Sequence, residues 1–257
     1  MIIKFSHITF SSPEFESDRA FLKTLGFRER FVVRSIANPK IKRALMSRYV
    51  PVHDFGLFDA PGSLSIELID QGRHDSTYSS VVPILEHIPE ALIESEGPVS
   101  TFGDLLLREV RLTGLKPSVY ASDRHAEAKE GPVFRSMVLR TLDIAESIHL
   151  FEFLGLHTAS SEDGKAVLTF RSPFQADTLT VCLEQDPSAR GHLNIDEYGF
   201  NHAVVVSSAP ATDRESLLRE GFEVTEIEQI EFNDTRLDIF FIRPTSMSPI
   251  EIIGIKK

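Results

Sequence analysis

The chain repeats itself, and the repeat limits what it can become. A strand-like phrase with a histidine opens it, KFSHITF with His7, and a second stands near its far end, GFNHAVVV with His202. A helical stretch follows each, PEFESDRAFLKTLGF in the first case and ATDRESLLREGF in the last. Each phrase closes on a glutamate inside an apolar strand, Glu67 in SLSIELID and Glu251 in SPIEIIG. His7 stands 20 residues before Phe27, and His202 stands 20 before Phe222. A third copy, VFRSMVLRTLDIAESIHLFEFLGL, sets Ser136 20 residues before Leu156 and continues through AVLTF to TLTVCLE. There Cys182 takes the place of Glu67, so this copy carries neither histidine nor glutamate at the matched positions. Units that recur at such a period bury their apolar faces against one another, which demands a modular fold.

Within the first unit a strand spans residues 2–10. The helix runs from about Pro13 to Leu25, with Phe15, Ala20, Phe21, Leu22 and Leu25 as its apolar stripe and Gly26 as its stop. ALMSRYV, HDFGLFD and SLSIELI read as three strands, which makes the unit βαβββ and the class α+β. Residues 72–131 are rich in Pro, Ser and charge, and only STFGDLLLREVRLTGL resembles the helix of another copy. They form either a degenerate second unit or a long excursion; the rarity of unstructured loops of that length favours the unit. The division is then 1–71, 72–131, 132–196 and 197–257.

At 257 residues the chain can bury a core without crosslinks, and its one cysteine, Cys182, excludes an internal disulfide framework. A net charge of -11 argues against nucleic acid as a partner. The opening MIIKFSHITF reads as a strand and not as a secretory signal, and no apolar run approaches the roughly 20 residues that span a bilayer. The expectation is a soluble cytoplasmic protein acting on a small molecule.

Strand alternation puts Phe5, His7 and Thr9 on one side of the first strand. Glu67 lies between Ile66 and Leu68, and Glu251 between Ile250 and Ile252, so each carboxylate interrupts a run that looks buried. Buried carboxylates need a compensating positive group, and one divalent ion held by His7, Glu67, His202 and Glu251 would serve both. Either glutamate could also move a proton. Thr9 and Asn201 are candidate hydrogen-bond partners behind these donors, and Tyr198, Arg236 and Arg243 are candidate substrate contacts. Phe5, Phe200 and Phe241 are candidates to line a pocket for an aromatic ligand. His53, His74, His87, His125, His149, His157 and His192 show no such matching and read as surface or helix residues.

SHITF with FLKTLGF and SIELID, VLRTLDIAESIHLFEFLGL, and FNHAVVV with REGF and SPIEIIG resemble the vicinal oxygen chelate superfamily. This group includes glyoxalases, ring-cleaving dioxygenases and antibiotic-resistance proteins. The resemblance implies tandem βαβββ modules pairing into half-barrel mixed sheets around a cleft, paired within one chain or across a homodimer. The layout is most similar to the hydroquinone-type ring-cleaving dioxygenases, in which the first and fourth modules supply ligands corresponding to His7, His202 and Glu251. It departs from them in three ways: Glu67 is an additional carboxylate, Phe241 stands where a tyrosine is expected, and Asn201 stands where a second histidine is typical. A dioxygenase would use Fe(II) or Mn(II), and a glyoxalase-like isomerase or lyase with all four ligands would use Ni(II) or Zn(II). A resistance-type protein would keep the cleft and bind without chemistry.

Overall fold

The computed structural model describes residues 2–122, 133–172, 178–191, 194–232 and 234–256. His125 and His192 lie outside the described residues. The N-terminal quarter holds β1 (Ile2–Ser11), α1 (Phe15–Thr24), β2 (Arg28–Ala37), β3 (Val52–Asp59) and β4 (Ser65–Ile69). A short β5 (Arg73–Thr77) precedes β6 (Val81–Glu86), β7 (Ile93–Phe102), β8 (Leu105–Leu112) and β9 (Val119–Ser122). Next come β10 (Val133–Thr141), α2 (Ile144–Phe153), β11 (His157–Glu162), β12 (Lys165–Arg171) and β13 (Thr178–Gln185). The last quarter holds β14 (Glu197–Ser207), α3 (Pro210–Arg219), β15 (Glu228–Phe232), β16 (Thr235–Ile242) and β17 (Ile250–Lys256).

These strands make two mixed sheets of the same plan. One runs β15-β16-β17-β14-β1-β4-β3-β2, with β5 paired to β14, and the other β11-β12-β13-β10-β6-β9-β8-β7. In each, two first strands meet antiparallel at the centre, β1 with β14 and β10 with β6. Each first strand then pairs parallel with the fourth strand of its own group: β1 with β4, β10 with β13, β14 with β17 and β6 with β9. The first sheet therefore closes its cleft within one chain. Its core face carries Phe5, Ile8, Phe10, Ile66, Leu68, Ala203, Val205, Ile250 and Ile252, which join Leu139, Phe170 and Val181 of the second sheet in one continuous core.

A side-chain link recurs at each of the three first strands that lead into an α-helix, β1, β10 and β14. Ser12 Oγ donates to Asp18 Oδ2 at 2.5 Å, Ser207 Oγ donates to Asp213 Oδ2 at 2.5 Å, and Thr141 Oγ1 bonds Ser147 Oγ at 2.7 Å. The same Ser12 and Ser207 hydroxyls accept the N–H of Glu14 and Ala209, and Asp143 caps α2 through the N–H groups of Ala145 and Glu146. Each hydroxyl thus fixes the angle at which strand gives way to helix.

Two local expectations are corrected. STFGDLLLREVRLTGL is no helix but most of the β7–β8 hairpin, turning at Gly103 with φ +53°. Leu105 and Leu107 are buried while Leu106 between them is 50% exposed, the two-residue period of a half-buried strand. ALMSRYV is not a strand either; the second strand of the first quarter is RERFVVRSIA, residues 28–37. Between β2 and β3 the chain forms a 3-10 turn, Lys40–Leu45, and an irregular run to residue 51. No helix among the described residues is long and apolar enough to cross a membrane.

Candidate metal centre and cavity

The strand register assembles the four expected donors on one face. Thr9 pairs with Glu67 across β1–β4 and with His202 across β1–β14. One row along, His7 pairs with Val204, Val204 with Glu251, and Glu251 with Phe241. Directly opposed residues share a face, so His7, Glu67, His202 and Glu251 all stand on the side away from the core. Bulges at Ser6 and Asn201 make this work. Phe5 and Phe10 turn into the core while His7 and Thr9 between them keep to the other face.

The donors form two pairs. His7 Nε2 lies 3.6 Å from Glu67 Oε2, and the same oxygen accepts a hydrogen bond from Thr9 Oγ1 at 2.9 Å. His202 Nε2 lies 3.2 Å from Glu251 Oε2, with the imidazole fully buried and the edge of the Phe241 ring set against it at 5.7 Å between centroids. Burial holds the His202 imidazole below its ordinary range, with the Glu251 contact only partly offsetting it. The neutral ring therefore donates from Nε2 to Glu251, and Nδ1 has no partner among the described residues. Desolvation would raise both carboxylates. For Glu67 the facing His7 imidazole and the Lys42 ammonium outweigh it and hold the carboxyl well below the usual range; for Glu251 Lys42 and His202 outweigh it and hold the carboxyl below that range.

His7, Glu67 and Glu251 line a cavity of about 430 Å³ whose walls include Phe31, Phe55, Leu57, Ile239 and Ile253. Two further lining residues carry charge or chemistry that the repeat pattern did not flag. Lys42 comes from the 3-10 turn and is 5% exposed. His53, on β3, is 7% exposed instead of lying at the surface; burial, aided by Lys42, lowers its pKa to about 4. Its Nδ1 also lacks a partner among the described residues. The loop carrying Lys42 is fastened to the last quarter of the chain. Glu228 accepts the N–H groups of Lys40 and Ile41 at 3.0 and 2.6 Å, and Asp196 accepts those of Ser47 and Arg48, each at 2.9 Å.

The other candidates sit elsewhere. Thr9 supports Glu67 from within the sheet. Tyr198 is buried on the core side, stacked on Phe10 and donating to Asp18 at 3.1 Å. Asn201 donates to the carbonyls of Ile195 and Glu197, holding the bulge. Arg243 pairs with Glu223, and Arg236 is exposed on β16. Phe5 and Phe200 belong to the core, and Phe241 backs His202 without lining the cavity.

The donor set suits a borderline divalent ion in type. Two ligands at about 2.1 Å and 90 to 110° lie roughly 3.0 to 3.4 Å apart, which brackets the 3.2 Å of the second pair and falls just short of the 3.6 Å of the first. Among the described residues no three such groups already converge on one point, so the arrangement is two half-sites on a common face. In the second sheet the corresponding positions are Ser136 for His7, Cys182 for Glu67, Val82 for His202 and Tyr120 for Glu251. Three of them, Val82, Tyr120 and Cys182, join Phe102, Leu105 and Leu107 in a separate apolar cluster, so that sheet keeps the register without the donors.

No family model matches the sequence, and no curated protein does. Among solved structures, the chain is similar to a putative dioxygenase from Bacillus subtilis subsp. subtilis str. 168. The TM-score is 0.65 at 13% identity, over 100% of this chain and 86% of that one. It is similar also to glyoxalase I from Zea mays, with a TM-score of 0.60 at 12% identity over 98% and 92% of the two chains. Likeness at this identity establishes the architecture alone: the chain shares the fold of that dioxygenase and of glyoxalase I, α+β with half-barrel mixed sheets.

Proposed function

We propose that the protein is a divalent-metal-dependent enzyme that takes a small substrate through two adjacent oxygens in the cavity beside His7, Glu67 and Glu251. The observation that carries this reading is the pairing of each histidine with a glutamate on one non-core face of a single sheet. His7, His202, Glu67 and Glu251 would hold the ion, and two carboxylates among four ligands favour isomerase or lyase chemistry of the glyoxalase type. When bound, the ion supplies Lewis acidity toward the substrate oxygens. Glu67 Oε2 is taken by Thr9 and faces His7, which leaves Oε1 as the oxygen able to accept a substrate proton. Because Glu67 holds protons weakly, it can act as a base only on a carbon acid already acidified within the site. Glu251, committed to His202, serves as a ligand, and Phe241 fixes the imidazole plane. Leu57, Ile239 and Ile253 give the cavity an apolar wall for the rest of the substrate.

Ring-cleaving dioxygenase chemistry is the second reading, favoured by the aromatic wall of Phe31, Phe55 and Phe232, whose ring centroids lie 5.2 to 5.7 Å apart. Metal analysis of protein purified without chelator tests both, with stoichiometric metal expected in the wild type and little in His202→Ala. Equal, negligible content in the two proteins would end the metal reading. Hemithioacetal isomerisation measured with Ni(II) or Zn(II), against oxygen uptake with catechols and hydroquinones under Fe(II), then separates the two chemistries.

A further inference from the structure

Lys42 reaches the cavity with its stem buried, and among the described residues no hydrogen-bond or ion-pair partner lies within reach of its Nζ. It lines the same cavity as His53, Glu67 and Glu251 without touching any of them, and its charge lowers the pKa of His53 and of both carboxylates. The Nζ opens onto the cavity with no counter-charge at contact distance, so a ligand oxygen can take up its hydrogen bonds. With an ion held by His7, Glu67, His202 and Glu251, the two carboxylates would be neutralised by its charge and the imidazoles would be neutral ligands. One positive charge, that of Lys42, would then remain in the cavity wall. At the mouth, Lys40 and Glu231 are exposed to solvent and Glu228 is committed to backbone N–H groups, so none of these cancels it.

We propose that Lys42 selects a monoanionic substrate, binding a carboxylate or enolate oxygen beside the two vicinal oxygens held by the ion. The inference rests on the metal reading above and narrows it to a substrate class: a small acid with one negative charge, whose apolar remainder meets Phe31, Phe55 and Phe232. Only an ammonium on a loop held in place can act in this way. The Glu228 and Asp196 contacts supply that fixity, because they pin the loop on either side of Lys42.

The test uses mandelate, a monoanion with a hydroxyl oxygen adjacent to its carboxylate and a phenyl ring, and its neutral isostere mandelamide. Both are titrated calorimetrically into Zn(II)-loaded and metal-free wild type, Lys42→Met and Lys42→Arg, with metal content and melting temperature measured on each. The loaded wild type should prefer mandelate by about tenfold or more, the worth of a hydrogen bond to a charged group. Lys42→Met should lose that preference through weaker mandelate binding alone, and Lys42→Arg should keep most of it. Failure of the loaded wild type to bind mandelate, or to prefer it, overturns the proposal. So does a Lys42→Met protein that keeps the preference, or one that gains metal affinity with mandelate binding unchanged, since Lys42 would then be a counter-ion for Glu67 and Glu251. If the wild type takes up no Zn(II), the metal reading fails by itself; a Lys42-dependent preference in metal-free protein would still uphold the anion assignment, and its absence there would overturn that too.

Discussion

His53 should make the stability of the metal-free protein fall steeply between pH 7 and pH 5. The imidazole is buried on β3 next to Phe55, and burial together with Lys42 pulls its pKa from 6.5 to about 4. Above about pH 6.5 the ring is neutral in both folded and unfolded chains and costs nothing. As the pH falls, the unfolded chain binds a proton that the folded one refuses, so stability is lost progressively until about pH 4. The shift is worth about 3 kcal/mol in full, and about 2 kcal/mol is already gone at pH 5. His202 acts in the same direction. Glu67 and Glu251 are held low, so their stabilisation is lost only as the pH falls below about 4.5, outside this window. Urea denaturation with EDTA at pH 7.5, 6 and 5 should show the wild type losing about 2 kcal/mol more than His53→Gln over that range. Other titrations cancel in the difference, and parallel slopes for the two proteins would refute the assignment.

Thr9→Val keeps the shape but removes the donor to Glu67 Oε2. It should cost about 1.5 kcal/mol in denaturant unfolding and about tenfold in metal affinity measured by chelator competition; unchanged metal affinity would mean that Thr9 does not orient Glu67. Tyr198→Phe removes the hydrogen bond to Asp18 on the core side of the sheet. It should lower stability by about 1 kcal/mol and leave ligand affinity within error, and a marked loss of affinity would return Tyr198 to the substrate.

The matched histidines and glutamates were legible because their spacing is a property of the strands that hold them, and the structure keeps those strands paired at the centre of one sheet. The hydroxyl five residues after His7, Ser136 and His202, and its polar partner six residues further on, were equally present in the sequence. They go unnoticed because Ser12–Asp18, Thr141–Ser147 and Ser207–Asp213 differ in chemistry, and only their geometry is common. Alternation alone misplaced Phe5, since a bulge reverses the parity between it and His7. Lys42 was invisible for another reason. It belongs to the connection between β2 and β3, where tertiary bonds to Glu228 and Asp196 decide the conformation and no local pattern does. RERFVVRSIA escaped as a strand because its polar and exposed residues give no clean two-residue period.

The roof of the cavity is cut from the first fifth of the polypeptide but is bolted to residues 195, 196 and 228. A nascent chain still lacking its last quarter could display His7 and Glu67, but with their ceiling unfastened and His202 and Glu251 not yet made. Any ligand that needs both pairs could bind only after residues 196 to 251 have emerged, and a product truncated before them would have no finished chamber.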